Sequence, residues 1–281
     1  MFKIVNKKQL NPVVVSMTIE APFVARKARA GQFVILRVEE DGERIPLTVA
    51  GYDREKGTLD IIFQPVGATT KKLSMMNEGD YIPDFVGPLG NPTVFEKGKR
   101  YAVVGGGVGC AISYIVTKEI FEAGCEVDAI IGFRNKDLVI LEEEFKSVCN
   151  NLYVCTDDGS YGRPGVVTKT LEELIVSGEK YDEVITIGPM IMMKFVCLTT
   201  KKYDIPTTVS MNPIMIDGTG MCGGCRLTVG GETKFACVDG PDFDGHKVDF
   251  DEAMRRGGVY KEFEKHAYEE ACNLLNKEVA E

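Results

Sequence analysis

Hydrophobic and polar residues alternate over residues 1–98 in short runs that are separated by Gly, Pro or charged turns. An alternating pattern predicts strands, because successive side chains of a strand point to opposite faces of a sheet. Five or six strands of this length predict a small antiparallel β-barrel. The predicted strands are Phe2–Val5, Val13–Ile19, Gln32–Val38, Thr48–Gly51 and Leu59–Gln64.

Residues 99–211 follow a different pattern, in which apolar strand-like runs alternate with segments of helical period. This alternation predicts an α/β domain with a doubly wound, mostly parallel sheet. The predicted strands are Tyr101–Val104, Glu126–Gly132, Leu152–Cys155, Val184–Ile187 and Thr207–Met211. The predicted helices are Cys110–Ala123, Glu142–Ser147, Val166–Ser177 and Met190–Tyr203.

Residues 212–281 form the third predicted region, a cysteine-containing loop followed by a helical tail. Apolar residues recur at helical intervals over Asp249–Arg256 and Lys261–Lys277. Such amphipathic helices predict a cover over the cysteine loop or over a partner. The expected domains are therefore 1–98, 99–211 and 212–281, with a boundary near Gly98.

Composition narrows the class of protein. The formal charge of −9 argues against a nucleic-acid surface, which needs clustered basic residues. No apolar run approaches the roughly 20 residues of a membrane span, so no membrane association is expected. The first residues lack the apolar stretch of a signal peptide, and nine cysteines without an export signal predict a reducing, cytoplasmic location.

Three loops that follow predicted strands of the α/β domain carry glycine, proline or acidic residues. Ligands of such sheets bind beyond the carboxyl ends of the strands, so these loops predict a binding cleft. The glycine loop is not the standard dinucleotide fingerprint, because Cys110 stands where the last glycine is expected. The loop residues are Gly105, Gly106, Gly107 and Gly109; Asp157 and Asp158; and Gly188, Pro189 and Met190.

Two stretches of the barrel half contain polar residues at the entrance of an element. Arg44 and Thr48 flank a predicted strand entrance, whereas Gly67 and Thr69 precede, and Thr70 begins, a helix predicted over Thr70–Met76. Gly and Thr at a helix N-terminus favour a phosphate site, but a threonine there is equally typical of a helix cap. The residues alone leave both interpretations open.

The cysteine loop carries the most specific signal in the chain. Plant-type two-iron clusters use the spacing C-x4-C-x2-C with a distant fourth cysteine. The same intervals occur here with Asp217 at the first position, followed by Cys222, Cys225 and the later Cys237. The hypothesis is a [2Fe–2S] cluster held by three thiolates and one carboxylate. The alternative is a structural zinc site with His246 as fourth ligand.

The order of these parts resembles the ferredoxin reductase superfamily. A β-barrel, an α/β domain with the GGGVG, TDDGSYG and GPM loops, and the cysteine loop are similar to the electron-transfer subunit of dihydroorotate dehydrogenase. The IDGTGMCGGC segment and the helical tail look more like the small, alpha subunits of NADH-dependent ferredoxin:NADP oxidoreductases of the Nfn type. Relatives of that group are also described as sulfide dehydrogenase subunits.

The resemblance implies FAD in the barrel, NAD(H) on the α/β domain and a [2Fe–2S] cluster at the cysteine loop. The matching flavin positions are Arg44, Pro46, Leu47, Thr48, Gly67, Thr69 and Thr70, and this match favours the phosphate interpretation over the cap. The nicotinamide positions are Gly105–Gly109, Asp157, Asp158, Gly188, Pro189 and Met190. Asp217, Cys222, Cys225 and Cys237 are the implied metal ligands.

The implied activity is that of an oxidoreductase subunit that passes electrons between NAD(H), FAD and the cluster. The implied partner is a larger subunit with a second flavin and further iron–sulfur clusters, and ferredoxin is an indirect partner. Hydride transfer needs no general base, so no catalytic side chain is expected. The alternatives are an electron-transfer subunit of dihydroorotate dehydrogenase or of a sulfur reductase, and a non-redox nucleotide-binding module with structural zinc.

Overall fold

The protein, described here from a computed structural model, contains two seven-stranded sheets and a two-stranded hairpin. The structure describes residues 1–278 and the side chains of 1–272, so residues 279–281 of the third predicted region lie outside it. No helix in this part of the chain has the length and apolar character that a membrane crossing requires.

The first sheet is the predicted antiparallel barrel, with seven strands rather than five or six. The strand order is β6-β1-β2-β5-β4-β3-β7, and every pairing is antiparallel. Its inward-facing residues form one apolar core that includes Ile4, Met17 and Ile61, all of which are fully buried. The elements are β1 (Phe2–Asn11), β2 (Val14–Glu20), α1 (Pro22–Ala25), β3 (Phe33–Arg37), β4 (Ile45–Asp53), β5 (Thr58–Phe63), α2 (Ala68–Met75), β6 (Tyr81–Ile82) and β7 (Asp84–Leu89).

The second sheet confirms the predicted doubly wound arrangement. The five predicted strands are all parallel to their neighbours, in the order β10-β9-β8-β12-β13. A two-residue strand, β11, extends the sheet beyond β10. The elements are β8 (Arg100–Gly106), α3 (Gly109–Glu122), β9 (Glu126–Phe133), α4 (Glu142–Lys146), β10 (Asn151–Thr156), β11 (Arg163–Pro164), α5 (Val167–Val176), β12 (Glu183–Ile187), α6 (Met190–Lys201) and β13 (Thr207–Ser210).

The last region is joined to the second sheet through an antiparallel edge strand. The elements are the hairpin β14 (Arg226–Val229) and β15 (Glu232–Phe235), the edge strand β16 (Asp242–Asp244), and helices α7 (Phe250–Gly257) and α8 (Lys261–Glu278). β16 pairs with β13, so residues from the third predicted region complete the sheet of the second. The division into 1–98, 99–211 and 212–281 stays a prediction.

The two tail helices cover different parts of the molecule. α7 begins at the cap residue Asp249, whose carboxylate accepts a hydrogen bond from the Glu252 amide at 2.8 Å. This helix packs on α6 and on β14, beside the cysteine loop, whereas α8 packs on α2 of the barrel. The predicted cover therefore extends from the cysteine loop to the barrel helix.

Candidate functional site

A cleft of about 1370 Å³ lies between the barrel and the carboxyl edge of the parallel sheet. Both sheets contribute to its walls, and the segment that leads into the cysteine loop closes one side. Among the predicted residues, the cleft is lined by Pro46, Thr48, Gly106, Gly107, Gly109, Asp157, Gly188 and Pro189. Residues that the sequence assigned to two different cofactors therefore face one shared space.

The glycine loops after β8 and β12 pack directly against each other. A Cβ atom on Gly109 would lie 2.7 Å from the Ile187 carbonyl oxygen and 2.8 Å from the Gly188 Cα atom, so a larger residue does not fit. Gly109 is also the first residue of α3. The cleft thus meets the N-terminus of a long helix, where amide groups and the helix dipole favour an anion such as a pyrophosphate.

Cys110 follows this loop and is fully buried against the sheet. Burial raises the pKa of the Cys110 thiol well above its usual range, so this thiol stays protonated. Cys110 therefore acts as a small apolar residue in the position that a glycine takes in the standard fingerprint.

The barrel side of the cleft uses fewer of the predicted residues. Leu47 packs against the barrel core instead of lining the cleft. Thr70 is engaged in a helix cap, because its hydroxyl accepts from the Gly67 amide and donates to the Gly67 carbonyl oxygen, each at 3.0 Å. Thr69 donates to the Glu43 carboxylate at 2.9 Å. Both threonine hydroxyls thus have protein partners, and their predicted contact with a phosphate stays a prediction.

Four further predicted residues lie outside the cleft wall. Gly105 is buried beneath the glycine loop, and Asp158 accepts a hydrogen bond from the Ser160 amide at 2.9 Å. The Ser160 side chain, together with this amide, lowers the pKa of the Asp158 carboxyl. The Met190 side chain packs toward Gly257 at the end of α7. The fourth, Arg44, reaches the cysteine loop, where its guanidinium donates to the Asp217 carbonyl oxygen at 3.3 Å.

The cysteine loop brings two of its thiols together in the protein interior. The Cys225 and Cys237 sulfurs lie 3.2 Å apart and both residues are buried, whereas Cys222 is exposed. Backbone amides point at the sulfurs: Gly224 donates to Cys222 and Cys237 donates to Cys225, each at 3.4 Å. The hydrogen bond from the Gly224 amide lowers the pKa of Cys222, whereas burial raises the pKa of Cys237 to about 12.

The Asp217 carboxylate is held in a fixed position at the start of this loop. Its Oδ2 atom accepts from the Thr219 amide at 2.9 Å, the Thr219 hydroxyl at 2.5 Å and the Met221 amide at 3.3 Å. The Thr219 bonds are the main cause of the lowered pKa of Asp217, so this carboxyl is ionised at neutral pH. These bonds leave Oδ1 as the atom available to a ligand.

These side chains fit a two-iron cluster better than a single ion. Two sulfurs on one tetrahedral metal, with metal–sulfur bonds of about 2.3 Å, lie roughly 3.8 Å apart, so the Cys225 and Cys237 sulfurs at 3.2 Å need to separate by about 0.6 Å to share one metal. Among the described side chains, no three His, Cys, Asp or Glu residues converge on a point that suits one ion. His246, the alternative zinc ligand, lies instead 3.0 Å from the Thr200 hydroxyl through its Nε2 atom.

The cleft and the cysteine pair share a wall. Phe33, Met211 and Met215 line the cleft, and the same three residues belong to the apolar core that contains Cys225 and Cys237. Each of the three is at most 6% exposed, so the wall is closed to water. A group bound in the cleft and a group bound by the cysteines thus lie beside the same cluster of apolar side chains.

Several cleft residues were missed by the sequence interpretation. Met192 lies between the two glycine loops, since a Cβ on Gly106 would be 2.3 Å from its sulfur. Phe33 and Tyr268 also line the cleft, although they come from a barrel strand and from the tail helix. Apolar residues at regular periods carry no signal that separates core from cleft, and only tertiary packing places them here.

Comparisons with known proteins agree with this site. Residues 212–249 match the family described as the iron-sulfur cluster binding domain of dihydroorotate dehydrogenase B. The chain is 57% identical, over 93% of its length and 91% of the relative, to an uncharacterized protein in the adh 3' region of Clostridium beijerinckii. It is similar over 96% of its length to 97% of a solved chain from work on flavin-based electron bifurcation by the NADH-dependent reduced ferredoxin-NADP oxidoreductase, with a TM-score of 0.91 and 47% identity.

A further relative places the chain in a family. It is a dihydroorotate dehydrogenase B (NAD(+)), electron transfer subunit homolog of Thermotoga maritima, which is 48% identical over 267 residues. The match covers 95% of this chain and 94% of that relative, including the barrel, the parallel sheet and the cysteine loop. The chain therefore belongs to the family of dihydroorotate dehydrogenase B electron transfer subunits and their homologues.

Proposed function

We propose that this chain is the electron-transfer subunit of a flavin-based bifurcating NADH-dependent ferredoxin:NADP+ oxidoreductase. It carries electrons between NAD(H), FAD and a [2Fe–2S] cluster. The observation that carries the proposal is that Phe33, Met211 and Met215 line the cleft and also belong to the apolar cluster that contains Cys225 and Cys237. A two-electron carrier and a one-electron carrier need this adjacency to exchange electrons.

The residues divide among the three groups as follows. Gly106, Gly107, Gly109, Gly188 and Pro189 hold the nucleotide part of NAD(H) at the edge of the sheet. Pro46 and Thr48 contact the flavin from the barrel, and Asp217, Cys222, Cys225 and Cys237 hold the cluster. When bound, FAD supplies the conversion between a hydride and single electrons.

The protein's own contribution is binding, orientation and exclusion of water. Apolar residues such as Ile187, Met192 and Phe195 line much of the cleft and lower its local dielectric constant. Within the described cleft lining there is no histidine, and the nearby Cys110 thiol stays protonated. This set of groups suits hydride transfer, in which the protein moves no proton.

The exposed side of the cysteine loop is the proposed contact with a larger subunit that holds a second flavin and further iron–sulfur clusters. Met221, Ile216 and Val238 are 87%, 51% and 43% exposed around the exposed Cys222. Apolar residues grouped at the surface are typical of protein interaction sites. Ferredoxin then exchanges electrons with the larger subunit and only indirectly with this chain.

The second candidate is an electron-transfer subunit of dihydroorotate dehydrogenase, which the description of the Thermotoga maritima relative favours. Asp217 and the tail helix α8 favour the first candidate, because the resemblance to the bifurcating enzymes rests on these two features. Both candidates share the cofactors and differ in the partner.

Two measurements test the proposal. Anaerobic titration of the purified chain with NADH is expected to bleach a flavin spectrum and to produce the electron paramagnetic resonance signal of a reduced [2Fe–2S] cluster. A colourless, iron-free protein that contains zinc would reject it. The partner that co-purifies then separates the candidates, since NADH-dependent reduction of NADP+ by reduced ferredoxin supports the first and oxidation of dihydroorotate supports the second.

A further inference from the structure

Arginine side chains surround the backbone of the cysteine loop. The loop directs amide groups at its sulfurs, as Gly224 does toward Cys222, and several of its carbonyl oxygens face donors from other parts of the chain. Arginines from three separate parts of the chain supply them. The bonds are Arg44 to Asp217 at 3.3 Å, Arg226 to Gly223 at 3.0 Å, and Arg256 to Gly224 at 3.3 Å and to Arg226 at 3.2 Å.

None of these three arginines forms a salt bridge with a carboxylate among the described residues, although the Arg44 charge also acts on the nearby Asp217 carboxylate. Arginine salt bridges within the described residues belong to Arg37, Arg100 and Arg163 instead. Arg44, Arg226 and Arg256 thus place three positive charges around one short loop in a chain whose formal charge is −9. The net charge of the protein does not determine where individual charges lie, so the grouping of three arginines at one loop is a local feature.

The three arginines also hold the loop against different elements. Arg44 precedes β4 of the barrel, Arg226 begins β14, and Arg256 lies in α7. The barrel contact is close, because a Cβ on Gly218 would lie 2.5 Å from the Ile35 Cδ1 atom of β3. At this contact, the hydrogen bond from Arg44 to the Asp217 carbonyl oxygen connects the barrel to the cysteine loop.

We propose that Arg44, Arg226 and Arg256 form a positive collar that raises the reduction potential of the cluster bound by this loop. The inference rests on the proposed function, which places a cluster here. A thiolate-bound cluster carries net negative charge that increases on reduction, and nearby positive charge stabilises the reduced form more than the oxidised form. The arginines are positioning residues, because they bind loop carbonyl groups and not the cluster.

The test is a potentiometric titration of the cluster in the full chain, followed by electron paramagnetic resonance. Arg44→Gln, Arg226→Gln and Arg256→Gln are each expected to lower the ratio of reduced to oxidised cluster at a fixed potential by about three- to tenfold. For a one-electron couple this is roughly 30 to 60 mV. Arg44→Glu is expected to produce about twice the shift of Arg44→Gln, since it changes the charge twice as much.

Arg54→Gln is the matched control. Arg54 also donates to a backbone carbonyl oxygen, that of Ala28 at 2.9 Å, but it stacks on Tyr52 away from the cysteine loop. Its removal is expected to leave the potential unchanged. Arg-to-Lys variants at the three collar positions keep the charge and should retain the potential within about twofold in the ratio.

The possible outcomes separate the two proposals. A chain without iron contradicts the proposed function itself. A cluster whose potential is the same in all three Gln variants, with iron content equal to that of the parent, overturns the collar. If a Gln variant loses iron, the Lys variant at the same position is measured instead. A threefold or larger fall in the ratio of reduced to oxidised cluster in that Lys variant also overturns the collar, because the charge is retained there. Weakening of the shifts at high salt supports a charge effect over a structural one.

Discussion

At the scale of single residues, Asp217 shows what spacing predicts and what it does not. The intervals to Cys222 and Cys225 identified the loop and the type of cluster from sequence. The orientation of the carboxylate, with Oδ2 bound by Thr219 and Met221, follows from the turn around Gly218 and became visible only in the structure. The same turn leaves Oδ1 as the atom with which Asp217 would bind the proposed cluster.

Asp217→Cys is expected to change the visible spectrum and the potential of the cluster. A thiolate has the same charge as a carboxylate but is a softer ligand, and it leaves the Thr219 and Met221 amides without their acceptor. Absorption and paramagnetic resonance of the reduced protein measure the change. Asp239→Cys is the control, because Asp239 also accepts from a backbone amide of this region, that of Phe235 at 2.7 Å. Identical spectra for parent and Asp217→Cys would remove Asp217 from the ligand set.

Asp242 is a buried carboxyl group that the sequence did not single out. Its Oδ2 atom accepts from the Thr93 hydroxyl at 2.6 Å, and its buried Oδ1 has no hydrogen-bond partner among the described residues. Burial raises the pKa of Asp242 from 3.8 to about 6. The folded protein thus favours the protonated form, so folding stability falls as the pH rises from about 4 to about 6 and stays lower above that.

Asp242→Asn is therefore expected to stabilise the protein at pH 8 and to have little effect near pH 4. The asparagine keeps an acceptor for Thr93 and carries no charge. A shift of about two pKa units corresponds to roughly 3 kcal/mol, which is the upper limit of the gain. Urea unfolding over this pH range, followed by circular dichroism, gives the difference. A difference that does not vary with pH would show that Asp242 does not titrate in this range.

At the scale of elements, the period of the hydrophobic pattern predicted most strands and helices. The strand β7 is not among the predicted strands, because Gly87 and Pro88 within it and Gly90 after it are typical of turns, yet its residues pair with β3 along the edge of the barrel. The short strand β16 carries too few residues to show a period. Both strands form because a neighbouring edge offers backbone partners, which a single-sequence pattern does not contain.

The junction between α3 and the barrel depends on one carboxylate. Glu119 of α3 accepts from the Ala30 amide at 2.6 Å and from the Tyr52 hydroxyl at 2.7 Å. Burial, helped by Glu119, raises the pKa of Tyr52 to about 12. These bonds connect the C-terminal part of α3 to the barrel, and the glycine loop precedes the same helix.

Glu119→Ala is expected to lower the free energy of unfolding by about 1–3 kcal/mol, since it leaves two partly buried donors without an acceptor. Glu119→Gln keeps an acceptor and should lose less, and Tyr52→Phe tests the hydroxyl alone. Glu122→Ala, on the exposed side of the same helix, is the control for helix propensity. Chemical denaturation measures all four, and equal losses for Glu119→Ala and Glu122→Ala would show that the junction adds no stability.

At the scale of the whole molecule, the sequence predicted the parts of the site but not their distances. Each glycine loop, the barrel entrance and the cysteine loop were visible as separate signals. Phe33 and Met215 line the cleft and belong to the same apolar cluster as Cys225 and Cys237, which depends on how the two sheets pack. In sequence, these apolar residues look like those of any protein core. The connection between the cleft and the cysteine pair therefore becomes apparent only from the fold.

The same arrangement predicts that NADH oxidation at the cleft and binding of the larger subunit at the cysteine loop can be altered separately. In the proposed function, electrons pass between NAD(H) at the cleft and a larger subunit at the exposed edge of the cysteine loop. Met221→Glu places a charge in the most exposed apolar position of that edge, 87% exposed, without touching the cleft. Burying this charge in an interface is unfavourable, so affinity for the larger subunit is expected to fall by about tenfold or more.

NADH oxidation with ferricyanide, which needs only the cleft and its flavin, is expected to be unchanged in Met221→Glu. Phe23→Glu is the matched control, because Phe23 is 83% exposed on α1 of the barrel, outside the proposed interface. Sedimentation of each variant with the isolated larger subunit measures the affinity. Equal affinities for both variants would place the interface elsewhere, whereas loss of ferricyanide activity in Met221→Glu would show that the cysteine loop and the cleft are not independent.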